Sequence, residues 1–103
     1  MFDRFEIFQR DGFTCQCCGY FGNMSNLSVA HRIKQGKGTL NFIKKFLAKN
    51  NIYYNNSFIT DNMINHEKNV VVACRGACND SFNIFFNPVE RDKLLMEILG
   101  DLF

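Results

Sequence analysis

No apolar run in this chain approaches the roughly 20 residues that a membrane-crossing helix needs, so no membrane partner is expected. Internal repeats and low-complexity tracts are missing as well, which sets aside repeat architectures. The first residues, MFDRFEIFQRDG, interleave acids and bases with aromatics and lack the apolar block of a signal peptide. Acidic residues are absent from Gly12 to Thr60, whereas Arg32, Lys34, Lys37, Lys44, Lys45 and Lys49 all fall there. An even cysteine count is lacking too. Five cysteines do not close a secreted disulfide framework, and four metal thiolates plus one spare in a reducing cytoplasm is the expected account.

The 103 residues suit one domain, small enough that a metal would help to hold it. An apolar fraction of 47% and twelve phenylalanines argue for a packed core. The net charge of +2 says little, but its distribution gathers cations in the middle and acids at both ends. That basic middle suits a polyanion, and the plainer alternative is an ordinary solvated face.

The cysteines form two clusters. Cys15, Cys17 and Cys18 lie in TCQCCGY, and Cys74 and Cys78 lie in ACRGACNDSFN. The C-x-x-C pair Cys15 and Cys18, followed by Gly19, is a turn that converges two thiolates on one ion. Cys74 and Cys78 complete a candidate four-thiolate zinc site. Cys17 is left out, because it would have to replace Cys15 in a strained adjacent pair.

Periodicity predicts a short helix over 2–10 and a strand over Leu27 to Ile33 that carries His31. The QGKG segment, 35–38, breaks the chain, and Thr39 is the expected N-cap of a helix to about Lys49. Residues 52–62 read as a short strand or a loop. A second strand at Val70–Val72 delivers Cys74, Ala77 to about Phe86 reads as helical, and Pro88 opens a last helix to about residue 100. Phe85 and Phe86 are expected to fill the core. The Leu/Ile stripe of the last helix is expected to pack inward, with a homodimer face as the alternative.

In order, RDGFTCQCCGY, LSVAHRI, NHEKNVVVAC and CNDSFN resemble the parts of an HNH endonuclease domain, over about residues 10–83. NIFFNP followed by an amphipathic helix also looks like a group of HNH-like proteins. The resemblance implies an α+β fold with a small ββα-metal, treble-clef-like core, a structural zinc on Cys15, Cys18, Cys74 and Cys78, and flanking helices. It implies that His31 is the general base, that Asn69 pins the loop, and that Asn83 is a ligand of a catalytic magnesium or other divalent ion. Arg32, Lys34 and Lys37 would then contact DNA. A phage or mobile-element setting fits so small a chain. One position departs from the pattern: Ala30 stands where the family often has a metal-binding Asp or His. Asn79, Asp80 and His66 are the substitutes within reach, with His66 preferred. Two readings follow, an HNH-type endonuclease cutting DNA phosphodiesters and a nuclease-inactive zinc module that binds nucleic acid or a protein.

Overall fold

In the computed structural model, which describes residues 2–103, the chain is α+β and is built around one antiparallel hairpin. Strand β1 (Leu27–His31) pairs with β2 (Val70–Cys74) in a register that sets Leu27 opposite Cys74 and His31 opposite Val70. Alternating side chains would expose one face of an isolated hairpin. Here Leu27, Val70 and Val72 on one face and Ala30 and Ala73 on the other are all fully buried. Both faces are therefore covered by other elements, and β-branched valines fill the hairpin.

Helix α1 (Arg4–Arg10) starts at Asp3, whose carboxylate accepts hydrogen bonds from the amides of Phe5 and Glu6. This satisfies two of the donors that every helix start leaves open. The helix buries Ile7 and Phe8, while Phe5 stays half exposed. At its end the RD pair ties it to β2. Arg10 donates to the carbonyls of Glu67 and Val70 at 2.8 and 2.6 Å, and Asp11 Oδ2 accepts from the Val72 amide at 2.8 Å.

Helix α2 (Lys37–Lys49) begins three residues earlier than the sequence suggests. Gly36 is its N-cap, with no side-chain capping bond, and Thr39 lies buried inside the helix. The stripe of Ile43 and Leu47 is fully buried, with Leu40, Phe42 and Phe46 packed beside it. The stretch read as a strand or a loop is mostly helical. Helix α3 (Asn56–Ile59) is capped by the Asn55 side chain and runs on as a π-helical turn (Thr60–Ile64). Asparagine at the cap position explains the start, because its amide oxygen takes the Phe58 amide at 2.8 Å. Polar residues between Tyr53 and Ile59 hide the apolar period, and burial of Ile59, Met63 and Ile64 overrides it.

A 3₁₀ turn (Glu67–Asn69) leads into β2. Helix α4 (Ala77–Asp80) is one turn long, so the expected helix to Phe86 ends early. Asn83 and Asn87 each take a nearby backbone amide into the side chain, which favours turns over helix. Helix α5 (Pro88–Leu102) opens with proline at its start, and Asn87 caps it. Leu94, Leu95, Ile98 and Leu99 are buried within the chain, leaving Val89 and Met96 as exposed apolar residues on that helix. Phe85 packs against the core, but Phe86 is 87% exposed, contrary to the expectation that both fill it. Among the described residues no helix is long and apolar enough to cross a membrane.

Two cores result. One gathers α2, α3, the π turn and α5, and the other gathers α1, the hairpin and Cys15. The molecule is accordingly elongated, 43 × 24 × 21 Å. Asn69 sits at the joint and is fully buried. Its amide oxygen accepts from the Ile33 amide at 2.8 Å, and its amide nitrogen donates to the carbonyls of Ile33 and Ile64 at 3.0 and 2.7 Å. Replacing Asn69 with Ala strands these buried backbone groups, which should cost about 3 kcal/mol of unfolding free energy, measurable by urea denaturation.

Candidate metal centre and histidine site

The first cysteine cluster is shaped by a backbone loop that folds onto itself. The amide of Cys15 donates to the Tyr20 carbonyl at 2.8 Å, and Gly19 donates back to Cys15 at 2.9 Å. Gly19 has φ +81°, a conformation that side chains resist, so glycine is needed to close the turn. The Gln16 amide then donates to the Val72 carbonyl at 2.9 Å, which seats the loop on β2 beside Cys74. Cys78 arrives on α4 after a turn at Gly76 with φ +86°.

The result is a convergence of Cys15, Cys18, Cys74 and Cys78, whose sulfurs all lie within 4.8 Å of one another. The Sγ atoms of Cys18 and Cys74 are 3.6 Å apart. Tetrahedral zinc with Zn–S distances near 2.3 Å requires about 3.8 Å between sulfurs, so the cluster has the dimensions of a zinc site. Backbone amides already serve a thiolate there: Cys18 and Cys74 direct N–H groups at Cys15 Sγ at 3.4 and 3.3 Å.

The thiol acidities fit the same picture. Burial opposes ionisation of Cys15, but hydrogen bonds from the amides of Cys18, Cys74 and Cys17 outweigh it and bring its pKa down from 9.0 to about 6. Burial and then the neighbouring sulfurs of Cys18 and Cys15 push Cys74 up to about 11. Cys78 is also pushed up, first by its hydrogen bond with Cys17, then by burial. One thiolate forms readily and its neighbours resist joining it, because like charges crowd one another. A divalent cation removes that conflict and makes four thiolates compatible.

Cys17 stands outside the four. It is exposed, and its sulfur takes a hydrogen bond from Ser81 Oγ at 3.4 Å.

His31 ends β1, half-buried. Its Nε2 lies 2.9 Å from Asn65 Oδ1, and the Phe2 ring meets it edge-on at 6.2 Å between centroids. The imidazole borders an open hollow of about 250 Å³ lined also by Val29, Lys34, Gln35 and Asn79. Asn79 reaches this place because its Nδ2 donates to Ser28 Oγ at 2.9 Å, fastening α4 to β1. Lys34 is paired with Asp80 at 2.8 Å across the same junction.

The other sequence-derived candidates lie elsewhere. Asn83 falls beyond the last turn of α4, is exposed, and spends its oxygen on the Phe85 amide at 3.0 Å. His66 caps the 3₁₀ turn: its Nδ1 accepts from the Lys68 amide at 3.1 Å and its Nε2 lies 3.5 Å from Asp101. Arg32 lines a separate hollow with Glu90, Lys93, Leu94 and Glu97, and Lys37 is exposed at the start of α2. Ala30 is fully buried and apolar. Asn65 is the site residue that sequence reasoning missed. It lies 34 residues from His31, in a segment with no strand or helix period to place it. The available signal was its polar side chain directly after the apolar pair Met63 and Ile64, which is too common to act on.

Compared with protein-family models, curated proteins and solved structures, the chain matches none.

The geometry makes the four cysteines unequal to the fifth. Elemental analysis of the purified chain should find one zinc, retained in Cys17→Ser and lost in Cys74→Ser. Chelation or Cys74→Ser should lower the melting temperature by about 15 °C, the equivalent of roughly 3 kcal/mol for a domain of this size. An unchanged melting curve in Cys74→Ser would remove the structural role.

Proposed function

We propose that this chain is an HNH-type endonuclease in which a zinc-stapled ββα core, treble-clef-like in its zinc loop, presents His31 to a phosphodiester. One observation carries the reading: a histidine at the end of a strand is held over an open, lysine-edged hollow, on the same hairpin whose other end meets four converging cysteines. In this scheme Cys15, Cys18, Cys74 and Cys78 would hold a zinc ion that ties the N-terminal loop to β2 and α4. Its chemistry is structural, because four thiolates leave no open coordination position.

His31 takes a proton from water, the resulting hydroxide attacks phosphorus, and the bond to the 3′ oxygen breaks, with the leaving oxygen taking up a proton from solvent. Imidazole suits the step because it can accept a proton near neutral pH. Lys34 lies where it can leave Asp80 for a nonbridging phosphate oxygen, since an exposed ion pair of this kind holds weakly. Asn79 lines the same hollow and offers its amide oxygen as an acceptor to the bound water. Arg32 and Lys37, on either side of Lys34 in sequence, would extend the contact along a DNA backbone.

The family pattern also calls for a catalytic divalent ion, and the residues here do not fit one. Among the described residues, the one convergence of three or more metal-binding side chains of the His, Cys, Asp and Glu types is the cysteine cluster. Asn83 is engaged in its own turn, and His66 is engaged with Lys68 and Asp101. No step is therefore assigned to magnesium.

That mismatch favours a second reading. With an apolar Ala30 beside the histidine, the chain would serve as a nuclease-inactive zinc module that binds nucleic acid. A supercoiled-plasmid nicking assay with magnesium, manganese or nickel separates the two. The nuclease reading expects His31→Ala to slow nicking by about 10²–10⁴-fold, the usual contribution of a general base. Nicking that survives His31→Ala removes His31 as the base. Plasmid that is retarded on a gel but never nicked by the wild type establishes the binding module.

A further inference from the structure

We infer that Asn65 is the positioning residue of the site, a side chain that fixes the His31 ring and the start of the QGKG segment through one amide oxygen. The inference rests on the nuclease reading for its catalytic consequence, and on geometry alone for the hold on the ring.

Asn65 Oδ1 lies 2.9 Å from His31 Nε2 and 3.2 Å from Gln35 Nε2. A carbonyl oxygen has two lone pairs, so it can satisfy both donors at once. Gln35 turns its Nε2 toward this atom, which makes the shared oxygen an acceptor. His31 then carries its proton on Nε2, and its other nitrogen is left basic. Gln35 follows Lys34 directly, so the same oxygen sets the histidine and the lysine-bearing segment at one spacing.

The backbone is shaped to deliver Asn65. The helix α3 widens into the π turn just before it, and the Asn65 amide donates five residues back, to Thr60, at 3.0 Å. Such a turn inserts a residue into the helical ladder and recurs at functional sites. It lets Met63 and Ile64 remain fully buried while the next side chain swings to β1. Asn69 then locks both ends of the contact. Its amide holds the carbonyl of Ile64, the residue before Asn65, and both backbone groups of Ile33, two residues after His31. A buried amide thus sets the distance between the histidine and its holder. Phe2 closes another side of the ring.

An asparagine in this place orients imidazole without adding a charge beside the phosphate. A residue acting through another in this way contributes about 10–100-fold. The test uses the zinc-loaded full chain and two variants, Asn65→Ala and Asn65→Asp, the second retaining an oxygen acceptor. Imidazole nitrogen shifts are recorded by NMR without nucleic acid, and nicking is measured in parallel.

The wild type should show His31 fixed with its proton on Nε2. Asn65→Ala should average its nitrogen shifts and lower kcat by about 10–100-fold, with KM nearly unchanged, while zinc content stays at the wild-type level. Asn65→Asp should restore the fixed ring, with the rate recovered only in part because its charge repels the phosphate. Nitrogen shifts and kcat in Asn65→Ala that match the wild type overturn the inference. Wild-type protein that nicks nothing fails the nuclease reading separately. In that event the shifts alone decide the hold on the ring, and an unchanged spectrum in Asn65→Ala overturns it.

Discussion

Among the described residues Asn69 is the one fully buried polar side chain, and its three hydrogen bonds tie the segment after β1 to the end of the π turn. A buried amide is costly unless every donor and acceptor is met. Here both atoms are met by backbone groups of segments far apart in sequence. Because backbone positions are what it holds, no other residue type reproduces the pattern: a carboxylate would lack the donor, and an aliphatic residue would lack both. The strand that ends at His31, the turn that ends at Ile64 and the start of β2 are therefore set in one frame.

The cysteine cluster acts at the opposite end of the hairpin and by different physics. Its four sulfurs are brought within reach of a metal by loop turns at Gly19 and Gly76, each in a conformation that favours glycine. In the absence of a cation, the lowered acidity threshold of Cys15 and the raised ones of Cys74 and Cys78 describe a group that can hold one negative charge comfortably, not four. A metal turns that repulsion into cohesion. The hairpin is thus clamped at the Leu27–Cys74 end by sulfur and at the His31–Val70 end by an amide. A histidine next to the second clamp is held firmly enough for its ring orientation to matter.

Charge behaves less simply than its distribution along the chain implies. The acid-free stretch from Gly12 to Thr60 suggests a basic face. Folding returns carboxylates to it: Asp80 pairs with Lys34, and Glu90 and Glu97 share a hollow with Arg32. Any polyanion bound there would compete with these acids, so attraction depends on exposed pairs that open at small cost. The stretch is basic in sequence and mixed in space.

The clustered cysteines and the main elements were legible because their signals are local. Paired cysteines at short spacing, alternating Leu27 to His31, the Ile43 and Leu47 stripe and the Leu/Ile stripe after Pro88 each announce themselves within a few residues. Residues 56–64 were not legible, because caps and polar asparagines mask a helix that exists to bury Ile59, Met63 and Ile64. The end of α4 was equally hidden, since asparagine side chains that close turns look the same in sequence as those on helices. By itself the sequence determined the two strands, the long helices and the cysteine quartet. Only the tertiary structure decided that Asn65, and not His66 or Asn83, meets His31. That contact joins residues 34 apart through a π turn, and no local period encodes where such a turn points.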